Sequence, residues 1–261
     1  MHSDDFNACA ELVQKGDDVR FRAAMASPVA ARAILFPLYA LNVEVARAPW
    51  VTSEAMIAEM RLQWWYDVLE AIVQGEPVNR HSVATPLADI LTPAQAKDLQ
   101  KMVEARRWDI YKDPFEDQTA LETYIRDTSA VLVRVAAQRL DNNISDRGLE
   151  AVEQYGRAMG CANYLNAIPA LLAQKRIPLV DGRPEGVAQL ATLGLDSLSK
   201  ARQNVRFVTK ATAPALLAGW DCEAVLKQAV QHPDRVIDGL APVNPLASSL
   251  RLMWQATTHR Y

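Results

Sequence analysis

The chain has 261 residues, 50% hydrophobic and 23% charged, with a formal net charge of -3, which is enough apolar chain to bury one sizeable core. That excludes a disordered, collagen-like or disulfide-scaffold protein, and the interspersed Lys, Arg, Asp and Glu offer no positive field to hold nucleic acid. With only 10 glycines in an alanine-rich sequence, helix is favoured throughout, because Ala is the best helix former and Gly among the poorest.

The start, Met1-His2-Ser3-Asp4-Asp5, is acidic and lacks the basic n-region of a secretory signal. From Ala30 to Ala48 the apolar group Ile34, Leu35, Leu38, Leu41 and Val45 predicts a helix, kinked or split at Pro37. Ser53 reads as an N-cap for a run through Ile57, Met60, Trp64, Val68 and Ile72 that Gly75 terminates. Thr92-Pro93 opens a further helix that ends at Asp113-Pro114.

Leu121, Ile125, Leu132, Val135 and Ala136 predict a third long helix, and Ser145 caps a fourth through Leu165, with Pro169 fraying its end. Pro and Gly density between Ile177 and Gly194 predicts a loop, followed by shorter helices around Arg202, Ala215, Val225 and Leu250. There is no composition break, no internal repeat and no period-2 run, so residues 1–261 are expected to form a single all-α domain.

Cys9, Cys161 and Cys222 are far apart and odd in number, which suits a reducing compartment and gives neither a disulfide framework nor a metal knuckle. Uncharged stretches such as 160–174 fall short of a membrane span. A cytoplasmic protein is expected, with peripheral contact at the inner membrane.

Several polar groups invite a structural explanation. Asn42 and Glu44 diverge by about 200 degrees around a helix and cannot clamp one ion, whereas Glu44 and Arg47 are spaced to pair. Trp64 and Trp65 point about 100 degrees apart, so one ring enters the core while the other meets a neighbouring helix or loop. Structural pairing is expected for Arg61, a solvated helix face or helix end for Arg106-Arg107 and Lys175-Arg176, exposed positions for Asp67 and Glu70, and a turn-capping role for His81. Asp113-Pro114-Phe115-Glu116-Asp117 mimics a metal motif but reads as a helix start, with Asp113 as N-cap and Glu116 at N3.

Arg20-Phe21, Arg32, Leu38-Tyr39-Ala40-Leu41, Ser53-Glu54, Arg61-Leu62-Gln63-Trp64-Trp65, His81-Ser82-Val83, Tyr124, Gly156, Ala158, Asn163 and Arg176 follow one another in an order that resembles the squalene/phytoene synthase family. The resemblance covers about residues 18 to 180. It implies an isoprenoid-synthase-like helical bundle around a central apolar cavity, in which active members join two isoprenyl diphosphates head to head. Magnesium ions held by two Asp-rich clusters neutralise the departing diphosphate in such enzymes.

Aligned on Tyr39, the first cluster falls on Ala46, Arg47 and Trp50; aligned on Gly156, Ala158 and Asn163, the second falls on Ala167, Ala170 and Leu171. None of these six can ligate magnesium. Losing a single preorganised electrostatic contact costs about 2.7 to 4 kcal/mol in barrier, so losing both clusters argues against family turnover. The resemblance therefore implies a catalytically silent bundle, with no catalytic residue and no cofactor, binding an isoprenoid or lipid-like ligand or a protein partner. Tyr39, Asn42, Arg61, Trp64, Trp65, Tyr124, Asn163 and Arg176 are the candidate cavity or ligand-binding residues.

Asn42-Val43-Glu44 and Arg61 with Trp64-Trp65 are also similar to a branch that includes mitochondrial factors assisting respiratory complex I assembly. A partner in respiratory-complex assembly is the corresponding expectation. The alternative is an active prenyltransferase with displaced acidic ligands, which alone would require magnesium.

Overall fold

The computed structural model describes residues 3–52 and 54–261, and among these residues there is helix and no strand. Helices α1 (Ser3–Gly16) and α2 (Asp18–Ala26) lead into α3 (Val29–Arg47). Leu35, Phe36, Leu38, Tyr39, Leu41 and Val45 of α3 are all buried, so this helix is apolar around most of its girth and forms the centre of the bundle. Each such side chain contributes about 1.5–3 kcal/mol of burial. By length and composition α3 could cross a membrane, yet 61% of its span is buried inside the protein. Pro37 removes one helical N–H, yet α3 runs unbroken from Val29 to Arg47, so the helix is not split there.

The next helix, α4, runs Ala55–Gln74 and stops at Gly75, whose φ of 70° makes it a left-handed cap. Glu54 takes the N-cap position, and Ser53, the expected cap, lies outside the described residues. Trp65 enters the core, while Trp64 is 39% exposed and meets the Trp65 ring at 4.6 Å and the His81 ring at 5.0 Å. His81 Nδ1 accepts from the backbone N–H of Val83 and Ala84, the expected turn-capping role.

After α5 (Ala84–Ile90), α6 (Pro93–Ala105) begins with a reciprocal Thr92–Gln95 capping box. It ends in a tighter turn, Arg106–Asp109, well before Asp113-Pro114. Asp117, not Asp113, caps α7 (Gln118–Ile125) by accepting from the Ala120 N–H at 2.8 Å, which corrects the expected start by four residues. α7 continues through a π-turn, Arg126–Ala130, into α8 (Val131–Leu140), so the third long helix is one rod with a bulge.

Ser145 caps α9 (Asp146–Ala173), which carries Pro169 inside it and runs past the expected end. α10 starts at Pro184, a first-turn proline, so the loop expected to reach Gly194 is already helix over its second half. A Cβ on Gly194 would lie 2.6 Å from Leu226 Cδ2 and 3.0 Å from Cys161 Cβ. Glycine there lets α10 (Pro184–Gln203) lie against both α9 and α12 (Cys222–Gln231), with the short α11 (Ala213–Leu216) between α10 and α12 in sequence. The last helix, α13, spans Pro245–Thr258. Cys9, Cys161 and Cys222 are free and buried, and burial pushes each thiol up to about 12.

Candidate functional site

A cavity of about 310 Å³ opens where α3, α7, the π-turn, α9 and the α1–α2 junction converge. Two helical stripes face into it. Asn42 and Ala46, four residues apart on α3, are followed after the helix end by Trp50, while α9 presents Asn163, Ala167 and Leu171, again at four-residue steps. Between them, Tyr124, Thr128 and Ser129 come from α7 and the π-turn. Glycines 156 and 160 permit that closeness, since a Cβ on Gly156 would sit 2.7 Å from Ala130 Cα and one on Gly160 2.7 Å from Ile125 Cγ2.

Two carboxylates line the cavity, and each is engaged by an arginine. Asp17 accepts from the Arg20 backbone at 2.9 Å as the cap of α2 and pairs with Arg20 Nη1 at 2.5 Å. Asp109, only 2% exposed, accepts from Tyr124 Oη at 2.9 Å and from Arg106 Nη1 at 3.0 Å, while the same Nη1 donates to Tyr124 Oη at 2.7 Å. Burial pushes the Tyr124 phenol well up, so it stays protonated and donating. For Arg106 burial opposes the charge, but Tyr124 and Asp109 outweigh it and hold the guanidinium protonated.

Residues 13–221 match the profile of the family described as squalene/phytoene synthase. The chain belongs to the squalene/phytoene synthase family. Its backbone superposes on that of a dehydrosqualene synthase, crystallised with a ligand, with a TM-score of 0.77 at 15% identity, covering 98% of this chain and 96% of that one. For a squalene synthase from Alicyclobacillus acidocaldarius the values are 0.69, 18%, 87% and 94%. At such identities the likeness shows the fold.

Among curated proteins, this family member is 28% identical over 168 residues to NADH dehydrogenase (ubiquinone) complex I, assembly factor 6 of Homo sapiens, a match covering 62% of this chain and 48% of that protein. For the Bos taurus protein of the same name the figures are 26%, 176 residues, 65% and 51%. The chain spans about half the length of the curated relatives it matches. It is thus a divergent branch of the family, similar to the assembly factors.

Of the six positions onto which the sequence resemblance lays the family's acidic clusters, Ala46, Trp50, Ala167 and Leu171 line the cavity, whereas Arg47 is exposed and paired with Glu44, and Ala170 is exposed. Magnesium does not fit this donor set. The remaining carboxylates, Asp17 and Asp109, come from other elements and already face guanidinium groups, and no cluster of three or more His, Cys, Asp or Glu is placed to hold a metal among the described residues. No step through a metal follows from this site.

The candidate residues divide. Asn42, Tyr124 and Asn163 line the cavity. Tyr39 is buried beside it, with the Arg20 guanidinium 5.8 Å from its ring centroid. Arg176 is buried behind Trp50 and Trp108, with its Nη1 donating to the Tyr111 carbonyl at 3.2 Å, which corrects the expected solvated helix end. Arg106 is likewise drawn into the Asp109 network, and Arg107 pairs with Glu59 and Glu104. Arg61, Trp64 and Trp65 sit on α4 away from the cavity, and Arg61 is exposed, with neither the expected structural pairing nor a cavity contact among the described residues. Glu70, expected to be exposed, is half-buried and accepts from Gln100 at 2.7 Å.

Sequence reasoning missed Asp17, Asp109 and the arginines' place beside them; the i, i+3 spacing of Asp17 with Arg20 and of Arg106 with Asp109 was the available signal. Apolar and polar groups are mixed in the lining, so the cavity is less apolar than the resemblance implies. Behind Tyr124 a separate, shallower groove of about 750 Å³ runs between α6 and α7 over Ala105, Trp108 and Phe115. The Trp108 and Phe115 rings stack there at 4.0 Å.

Proposed function

We propose that this chain is a catalytically silent squalene/phytoene synthase-like protein that assists the assembly of respiratory complex I by binding a protein partner. One observation carries the reading: Ala46, Trp50, Ala167 and Leu171, onto which the sequence resemblance lays the family's acidic clusters, all line the cavity, and none offers a side-chain oxygen to a metal. The names of the curated relatives support the assembly role.

Size supports the binding role. A cavity of about 310 Å³ is at the low end of small-ligand sites, ~300–1,000 Å³, a size that suits one prenyl or acyl chain. Such a ligand would act as a structural occupant of the bundle.

The test has two arms. Deleting the gene should lower assembled complex I on native gels, and re-expressing the wild-type chain should restore it; unchanged complex I overturns the assembly role. Purified protein given magnesium and farnesyl diphosphate should release no diphosphate. Release that disappears on substituting particular carboxylates overturns the silent reading.

A further inference from the structure

α13 is fixed to the bundle by one face and leaves an apolar stripe uncovered. On the inner face, Leu252 is buried, Trp220 Nε1 donates to Ser248 Oγ at 2.8 Å, and Arg22 Nη2 donates to Ser249 Oγ at 2.9 Å. Asp221 is turned toward this helix and pairs with Arg251 at 2.7 Å. On the outer face Leu246 is 77% exposed, Leu250 65%, Met253 63% and Trp254 49%. Their spacing of four, three and one places the first three within one narrow stripe and Trp254 at its border. Met25, one turn beyond Arg22 on α2, is also exposed.

Charge decides which partner fits. From Gly239 to Tyr261 the sequence contains no Asp or Glu, although acids outnumber bases over the whole chain, 31 to 28. Arg22 and Arg260 have no acidic partner among the described residues. A second exposed apolar helix surface, Met56 and Met60 on α4, shares its helix with Glu59, Asp67 and Glu70 as well as Arg61, and Glu59 is paired with Arg107.

We propose that the Leu246–Leu250–Met253–Trp254 stripe of α13 seats the protein on an anionic lipid bilayer. The three aliphatic side chains enter the boundary between headgroups and acyl chains. Trp254 lies at headgroup level, and the exposed Arg260 beyond the helix end meets lipid phosphate. This inference is independent of the assembly role, because a vesicle assay reads it without any complex I.

Flotation with phosphatidylcholine vesicles, with and without phosphatidylglycerol, tests it. The full chain should float with the phosphatidylglycerol vesicles and less well as salt is raised. The double variant Leu250→Asp with Met253→Asp should lower the partition coefficient about tenfold or more, at an unchanged thermal melt, since both side chains are exposed. The pair Met56→Asp with Met60→Asp should float like the wild type. The proposal is overturned if the wild type stays in solution, if the α13 variant floats undiminished, or if the α4 variant is the one that loses binding. It is equally overturned if sedimentation shows a dimer that the α13 variant abolishes, because the stripe would then be a contact between two copies.

Discussion

The Arg176 guanidinium lies 5.5 Å from the centroid of the Trp50 ring, and Trp50 lines the cavity. The Trp108 ring lies 5.7 Å from the same guanidinium, so a side-chain cation flanked by two aromatic rings adjoins that cavity. Among the described residues Arg176 has no carboxylate partner, so the rings and the Trp108 and Tyr111 carbonyls carry its interaction. A desolvated cation–π contact contributes about 2 kcal/mol. Arg176→Gln should therefore lower unfolding stability by about 2–3 kcal/mol in urea melts. Arg176→Lys should recover only part of the loss, because an ammonium lacks the planar face that stacks.

Rebuilding the carboxylates should rebuild metal sensitivity. Ala46 and Ala167 are half-buried and Trp50 exposed, so aspartate is tolerable at all three, whereas Leu171 is buried. In the triple variant Ala46→Asp, Trp50→Asp, Ala167→Asp, like charges around one cavity should lower the melting temperature without metal. Magnesium should raise it again, through a stabilisation of about 2.7 kcal/mol at a hundredfold excess over its dissociation constant. The wild type should show no magnesium-dependent shift. A thermal melt with and without magnesium reads both.

The buried Asp109 network makes a sharper stability prediction. Asp109→Asn leaves Arg106 charged and buried with its main partner gone, which costs about 3–5 kcal/mol. Replacing all three members, with Asp109→Leu, Arg106→Met and Tyr124→Phe, removes the buried charges together and should cost much less than the sum of the single losses. Denaturant titration of the single variants against the triple variant measures that non-additivity.

The long helices are legible in the sequence because their signals are local and redundant. Gly75, Thr92 and Ser145 sit at real boundaries, and the apolar spacing of α3, α4 and α9 survives packing. What is not legible is tertiary. Nothing in the sequence near Arg176 says that its chain turns back under Trp50 and Trp108, or that Gly194 lets α10 lie against both α9 and α12.

The misplaced cap shows the same limit at short range, and it can be measured. Asp113-Pro114 has the residue types of a helix start, yet the stacking of Phe115 on Trp108 draws that segment into the core and delays the helix to Asp117. Asp117→Ala should cost about 1 kcal/mol by exposing an orphan N–H of α7. Asp113→Ala, at an exposed position outside any helix, should change the melting temperature little. Equal losses at the two positions would mean that the cap has been assigned to the wrong residue.

Acid should loosen the junction of α10 with α12. Arg202 at 2.6 Å, helped by Lys227 at 2.8 Å, holds the Glu223 carboxyl down at about 2 against the opposing effect of burial. A folded-state value below the ordinary 4.5 means that the unfolded chain takes up the proton first. The stabilisation is therefore complete above about pH 4.5 and is lost progressively as the pH falls toward 2. The partners are partly solvated, so the amount is about 1 kcal/mol or less. Arg202 also donates through Nε to the Tyr261 carbonyl at 2.8 Å, which ties the chain end to the same cluster. Glu223→Gln should flatten the stability curve between pH 4.5 and 2 relative to the wild type and leave a neutral-pH loss no larger than the pair's own contribution. An unchanged acid limb in denaturant melts would place the acid sensitivity in other carboxylates.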